Sequence, residues 1–240
     1  MLRFATLFAL SILLVAKAGA QGTPTERKVF PVSGSQQSLL LDLPFGEEIR
    51  VIGWDRQEVA FEAYYSINNG ELNEVVSLDY DDDKDRIQIE MEWNEDAIKD
   101  YSGTVSQEAC EMQGGQLLYW SYNSNSEDNI SVCRKLKYTV YVPREMKLNV
   151  ETINSVVELR GVSGDMKVNS INGPIDLDWA VNQPANFKFE SIHGDLFSNL
   201  DLDVASMNDG VGFSYQTQWK NEGPSIKLET INSSIYLRKQ

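Results

Sequence analysis

The sequence predicts an all-β protein whose main part is a single-stranded β-solenoid, a β-helix-like stack of short strands. Three observations favour this fold class. Residues 148–240 hold five copies of a twelve-residue pattern, apolar and polar residues alternate in several runs of residues 21–147, and no stretch has the apolar spacing of a long helix. Alternation with a period of two is typical of half-buried strands. Copies that recur about every twenty residues are typical of a solenoid, because stacked neighbours bury each other's apolar faces.

The repeat reads apolar-x-apolar-x-Ser/Thr-apolar-Asn/His-x-x-apolar-x-apolar. Its copies are residues 148–159, 166–177, 187–198, 202–213 and 226–237. In each copy a first strand leads to a corner, and a second, shorter strand leaves it. Stacking at about 4.8 Å per copy would place like residues over like. We therefore predict five rungs with a ladder of Ser and Thr hydroxyls, a ladder of aliphatic side chains and a ladder of corner amides.

The corner ladder is predicted to be structural, because stacked Asn side chains share amide hydrogen bonds between layers. Asn also tolerates the left-handed backbone of tight turns. The predicted ladder residues are Asn154, Asn172, His193, Asn208 and Asn232.

The same positions carry a resemblance to a known family. The segments INGPIDL (171–177), IHGDL (192–196) and INSSIYL (231–237) resemble the "nGdI" rungs of the bacterial putative-adhesin domain, a β-solenoid family of unknown function. GEEIRVIGWDRQEV (46–59) is similar to the N-terminal strand pair of that family, so the resemblance covers most of the chain. It implies an exported, non-enzymatic, adhesin-like protein and transfers no site residues.

Residues 1–20 have the pattern of a secretory signal peptide. Arg3 precedes an apolar run from Leu7 to Val15, and the small residues Ala18, Gly19 and Ala20 form a cleavage site before Gln21. The alternative is an uncleaved N-terminal anchor. We expect residues 21–240 to be one elongated exported domain, periplasmic, surface-associated or secreted, with N-terminal strands in residues 21–147 and no later apolar stretch that would span a membrane.

The charge of the chain narrows the class of partner. The formal net charge is −15, and the predicted signal segment holds two basic residues and no acidic one, so the mature chain carries −17. Such a charge disfavours nucleic acid and anionic membrane surfaces. An envelope component, either a glycan or a protein, remains as the expected partner, and the oligomeric state stays open.

An insert at residues 94–134 breaks the strand rhythm and contains both cysteines. In an exported protein Cys110 and Cys133 are expected to form a disulfide that pins the insert; the alternative, a metal or redox pair, lacks a CxxC spacing. The aromatic residues Tyr119, Trp120 and Tyr122 would either contact a sugar or peptide ligand or fold back as a cap over one end of the stack.

Two further groups are candidate sites. Asp79, Asp81, Asp83 and Asp85 offer oxygen ligands that would bind Ca²⁺ weakly, although Lys84 stands where a calcium loop needs Gly; the alternative is a solvated hairpin tip. His193 lies between Ser191 and Asp195, but near neighbours in a strand do not converge into a triad. The sequence therefore predicts no catalytic residue, no resident metal and no cofactor.

Three functions follow as expectations. The first is a non-enzymatic adhesin-like or envelope scaffold protein of unknown ligand. The second is a carbohydrate-active β-helix enzyme, a polysaccharide lyase or hydrolase, which would use outward carboxylate pairs such as Asp176 with Asp178 or Asp201 with Asp203. The third is an assembly or signalling module that pairs edge to edge through a terminal rung.

Overall fold

The computed structural model describes residues 25–34, 36–99, 101, 103–120, 130–203, 208–210 and 212–240. The predicted signal peptide and Tyr122 lie outside these ranges. The described chain is all-β, as predicted, with two short α-helices, two short 3₁₀ helices (Asn68–Gly70 and Asn73–Val75) and no helix long and apolar enough to cross a bilayer. The strands are β1 (Glu26–Pro31), β2 (Ser38–Asp42), β3 (Glu48–Trp54), β4 (Glu58–Ile67), β5 (Val76–Asp82), β6 (Arg86–Trp93), β7 (Gln116–Trp120), β8 (Ile130–Pro143), β9 (Lys147–Thr152), β10 (Val156–Arg160), β11 (Met166–Ser170), β12 (Ile175–Trp179), β13 (Ala185–Ser191), β14 (Leu196–Ser198), β15 (Asn208–Gly210), β16 (Gly212–Trp219), β17 (Ser225–Thr230) and β18 (Ile235–Lys239).

The strands form two open, mixed sheets rather than the predicted single-stranded solenoid. Sheet 1 has the order β1-β4-β8-β3-β10-β12-β18-β14, with β7 paired to β8, and sheet 2 has the order β15-β16-β13-β17-β11-β9-β2-β6-β5. The central strands of both sheets are parallel, and the flanking strands β1, β4, β5 and β16 are antiparallel to their neighbours. Of these pairs only β5–β6 joins consecutive strands as a hairpin, whereas β1–β4, β4–β8 and β13–β16 pair strands that are apart in the sequence.

Each repeat that stacks is a rung with one strand in each sheet, joined at a corner. Four repeat copies stack in the order β9/β10, β11/β12, β17/β18 and β13/β14. Two strand pairs from before the repeats, β6/β8 and then β2/β3, precede them in the stack. The first strand of each rung buries its alternate side chains: Val150, Val168, Leu228 and Phe189 are each 0% exposed. The two sheets face each other across this core, because Trp179 of sheet 1 packs edge-on against Phe187 of sheet 2 at 5.7 Å between ring centroids.

The stacking order differs from the sequence order in two respects. The fifth copy, β17/β18, lies between the second and the third. The described residues of the fourth copy form no rung: β15 and β16 pair with each other antiparallel, and β16 runs antiparallel to β13. Gly212 permits this reversal, because its φ of +78° is left-handed and a Cβ there would lie 2.0 Å from the carbonyl oxygen of Ser191. Phe213 and Tyr215 then bury themselves at the end of the core.

The insert between β6 and β8 is shorter than predicted, because β8 already begins at Ile130. It contains helix α1 (Glu95–Lys99), helix α2 (Gln107–Met112) and strand β7. The Ser106 hydroxyl caps α2 by accepting from the backbone N–H of Ala109 at 3.2 Å. The predicted disulfide is confirmed: Cys110 of α2 is bonded to Cys133 of β8, with 5.3 Å between their Cα atoms. It fastens the insert to sheet 1.

Candidate functional site

The corner of the stack carries a continuous ladder of side-chain hydrogen bonds. Asn172 Nδ2 donates to Asn154 Oδ1 at 2.8 Å, and Asn232 Nδ2 donates to Asn172 Oδ1 at 2.8 Å. His193 Nδ1 lies 2.9 Å from Asn232 Oδ1, which can only accept, so the ring nitrogen donates. Asn208 is in β15, outside the stacked rungs. The structure thus brings four of the five predicted ladder residues together, in the order Asn154, Asn172, Asn232, His193.

Buried hydroxyls behind the ladder hold the corners in shape. The Ser170 and Ser191 hydroxyls accept from the backbone N–H groups of Gly173 and Gly194 at 3.0 and 2.9 Å. Gly194 is required by close packing, because a Cβ there would lie 1.7 Å from the carbonyl oxygen of Ser233 in the next rung. The ladder asparagines do not use the left-handed backbone expected of them: the described non-glycine residues with positive φ are Asn68, Asn69 and Lys220. Their role is the shared hydrogen bond.

An aliphatic row runs beside the ladder on the outer surface. We call it the isoleucine row; its members are Ile153, Ile171, Ile231 and Ile192. Ile171, Ile231 and Ile192 are 39%, 39% and 45% exposed, which is high for aliphatic side chains in a β-structure. Backbone hydrogen bonds between rungs fix the spacing, for example from His193 N–H to Ile231 O at 2.8 Å. The predicted aliphatic ladder therefore faces solvent.

A row of carboxylates lies along the other side of the isoleucine row, two residues earlier in each strand. This acidic row follows sheet 2 in the order Glu190, Glu229, Asn169, Glu151 and Asp42, with Glu90 and Asp79 continuing it. Together the rows bound a groove of about 440 Å³, which we call the corner groove. Its lining is Asp42, Pro44, Glu151, Thr152, Ile153, Asn169, Ser170, Ile171, Glu229, Thr230 and Ile231.

The charge along the acidic row is neutralised at one end only. Lys227 Nζ lies 2.9 Å from Glu229, and Lys188 Nζ lies 2.9 Å from Glu190. Among the described residues no lysine or arginine nitrogen comes within 4.0 Å of the carboxylates of Asp42 or Glu151. Partial burial, followed by the charges of Glu151, Glu90 and Glu92, raises the pKa of Asp42. That end of the groove is a concentration of uncompensated negative charge.

The predicted aspartate cluster does not converge. Asp79 and Asp81 lie on β5, opposite Glu90 and Gln88, whereas Asp83 and Asp85 belong to the turn before β6. The side-chain amide of Gln37 donates to the Asp83 carbonyl at 2.7 Å and so holds this turn. Over the part of the chain that the structure describes, no group of three or more His, Cys, Asp or Glu residues is placed to hold a metal ion.

The three aromatic residues predicted to contact a ligand lie at the edge of the described part of the insert. The backbone of Tyr119 and Trp120 pairs with Ser131 and Ile130 in the β7–β8 hairpin. Tyr122 lies outside the described residues. The ligand-contact role of this trio stays a prediction.

Four of the residues considered for catalysis, Ser191, His193, Asp176 and Asp178, are occupied by structural contacts. The Ser191 hydroxyl is buried and donates to the Ser233 carbonyl at 3.0 Å, while the His193 ring bonds Asn232. Asp176 accepts from Arg238 Nε at 2.8 Å and from Arg160 Nη1 at 2.9 Å. Arg160 also lies 3.3 Å from Asp178. The structure therefore does not bring Ser191, His193 and a carboxylate together.

Comparison with known proteins does not assign this chain to a family. No family model and no curated protein matches the chain. Among solved structures, a putative cell adhesion protein from Clostridium sporogenes ATCC 15579 is similar, with 11% sequence identity and a TM-score of 0.47, over 91% of this chain and 100% of that one. A TM-score below 0.5 is too low to support a shared function.

Proposed function

We propose that this chain is an exported, non-enzymatic, adhesin-like binding or scaffold protein of the cell envelope, and that it binds its partner along the corner groove. One observation carries the proposal: three of the four side chains of the isoleucine row, Ile171, Ile231 and Ile192, are exposed. At one end of the row the carboxylates of Asp42 and Glu151 have no lysine or arginine nitrogen of the described residues within 4.0 Å. Exposed apolar rows with polar rims mark interaction surfaces, because a soluble protein gains nothing from leaving them uncovered.

Two further features support export and a binding role. The first twenty residues have the pattern of a secretory signal peptide. The Cys110–Cys133 disulfide is compatible with an oxidising compartment, where such bonds persist. The repeated corner also supplies what a scaffold needs, since an isoleucine followed by an asparagine or histidine recurs at four successive rungs and offers a partner several equivalent contacts.

The test is an array of glycans, envelope polymers and envelope proteins, probed with residues 21–240 in the presence and absence of Ca²⁺. Specific binding should fall when Ile171 and Ile231 are both replaced by Ser. Val29→Ser is the matched control, because Val29 is a β-branched side chain with a similar exposure of 44% on the edge strand β1. Its binding should equal that of the unchanged protein.

Two results would count against the proposal. Binding that survives the double serine change but is lost on Trp120→Ala would move the site to the insert. New reducing ends or unsaturated products after incubation with polysaccharides would support the enzyme alternative instead.

A further inference from the structure

The shape and charge of the corner groove point to the chemistry of its partner, on the condition that the proposed binding function is correct. We propose that the groove takes a basic amphipathic α-helix of a partner protein, with its apolar face on the isoleucine row and its lysine or arginine side chains against the acidic row.

The repeat distance along the groove matches the pitch of an α-helix. Neighbouring rungs are about 4.8 Å apart, so the four isoleucines span roughly 14 Å. Successive turns of an α-helix are about 5.4 Å apart, and some ten helical residues cover this length. Side chains on one face of an extended strand recur only every 6.6 Å or so, which drifts out of step with the rungs after one contact. A helix laid along the row therefore keeps an apolar side chain near each isoleucine.

The strands of the groove offer no free backbone edge for pairing. The strands that form it, β2, β9, β11 and β17, each have hydrogen-bonded neighbours on both sides in sheet 2. A peptide cannot add to such a surface as an extra strand, because strand addition needs a free edge. Binding must use side chains, which is how an amphipathic helix binds in a groove.

The negative charge of the groove favours a cationic partner. Asp42 lies directly between Glu151 and Glu90 in the strand register, and like charges in adjacent positions of a sheet destabilise it. A cationic partner would relieve this repulsion. An anionic polymer would add to it. The residues that line the groove include no aromatic ring on which a sugar could stack. A positively charged, aliphatic partner fits this surface better than an anionic polymer or a sugar does.

The experiment uses residues 21–240 and a fluorescent synthetic peptide of about five helical turns. The peptide carries leucines at i, i+4 and i+7 on one face and lysines along one flank of that face. A second peptide has glutamate in place of every lysine, and a third keeps the lysines but has serine in place of every leucine. Anisotropy gives the dissociation constants, and circular dichroism reports whether the peptide gains helix on binding.

The lysine–leucine peptide should bind with a gain of helix, and the other two should not bind. Asp42→Asn with Glu151→Gln should weaken binding roughly fivefold to tenfold, the effect of losing two exposed ion pairs. The control pair Glu145→Gln and Glu222→Gln removes the same charge at the opposite ends of β9 and β17 and should leave binding unchanged. Urea unfolding of each variant excludes loss of the fold as the cause.

Equal binding of the lysine and glutamate peptides, or binding that ignores Asp42→Asn with Glu151→Gln, would overturn the inference. A glycan that binds in a groove-dependent manner while all three peptides fail would also overturn it, but would leave the proposed binding function standing. If no partner in the array depends on Ile171 and Ile231, the proposed function itself fails.

Discussion

Replacing Asn232 by Ala should destabilise the protein about twice as much as the same change at Asn154. Asn232 is inside the ladder and loses two side-chain hydrogen bonds, one from His193 and one to Asn172. Asn154 is at the end and loses only the bond that it accepts from Asn172. All of these side chains are exposed, so each bond contributes at the low end of the usual range, about 0.5 kcal/mol. The expected losses are therefore about 1 kcal/mol for Asn232→Ala and about 0.5 kcal/mol for Asn154→Ala.

Urea unfolding followed by tryptophan fluorescence measures these losses, with the slope of the unfolding free energy against urea expected to stay constant. A double-mutant cycle makes the test specific to the stacking order. Asn172 and Asn232 should be coupled, because they are in direct contact. Asn172 and His193 should be coupled less strongly, because they are linked only through Asn232, although they belong to consecutive copies in the sequence. Two results would refute this order of rungs. The first is a loss of unfolding free energy for Asn232→Ala that is no larger than for Asn154→Ala. The second is stronger coupling between Asn172 and His193 than between Asn172 and Asn232.

Three further predictions concern the disulfide, the acidic row and the tight corners. Replacing Cys110 and Cys133 by Ser should lower the free energy of unfolding by about 3 kcal/mol, because the bridge closes a long loop in the unfolded chain; a loss of melting temperature comparable to that of an exposed surface substitution would contradict this. The raised pKa of Asp42 means that the folded protein holds this proton more tightly than the unfolded chain, so stability falls as the pH rises through the unfolded and then the folded pKa. Asp42→Asn should therefore stabilise the protein at pH 7 and give no gain near pH 3; urea curves at both pH values decide, and a gain that is independent of pH would show that the Asp42 charge is not its cause. Gly194→Ala should destabilise by about 2 kcal/mol or more, since its Cβ would overlap the next rung; Gly34→Ala, which meets nothing within 4 Å, is the control, and equal melting temperatures for the two variants would rule out the close contact.

The repeat pattern is sufficient to predict the class of fold and the contacts between like positions. Alternation identifies Val150, Val168, Phe189 and Leu228 as core residues, and all four are fully buried. The pattern cannot give the order of the rungs. Each copy presents the same inward and outward side chains, so a ladder forms whichever copy comes next. The choice depends on contacts outside the pattern, such as Tyr215 of β16, whose ring stacks on Phe189.

The corner groove is absent from the sequence-based predictions although its signal is present in the sequence. Each isoleucine of the row follows an outward residue by two positions, and a period of two puts both on the same face of the sheet. Glu151 and Ile153 are one such pair, and Glu229 and Ile231 are another. The repeat pattern describes these isoleucines only as apolar, which suggests packing between rungs. What the sequence cannot supply is the missing cation beside Asp42, because that depends on which strands become neighbours in sheet 2.

The position of β17 and β18 in the stack has a consequence for how the chain acquires its structure. In an ordinary solenoid each new copy adds to the end of what has already formed, and the array can grow from one end. Here the third copy, β13 and β14, has no direct strand pairing with the second, and the two are linked only through β17 and β18, which lie between them. During synthesis from the N-terminus, the edges of β11 and β13 that pair with β17 have no strand partner until residues 225–230 are present. The C-terminal strands β17 and β18 are therefore what joins the third copy to the rest of the stack through backbone hydrogen bonds.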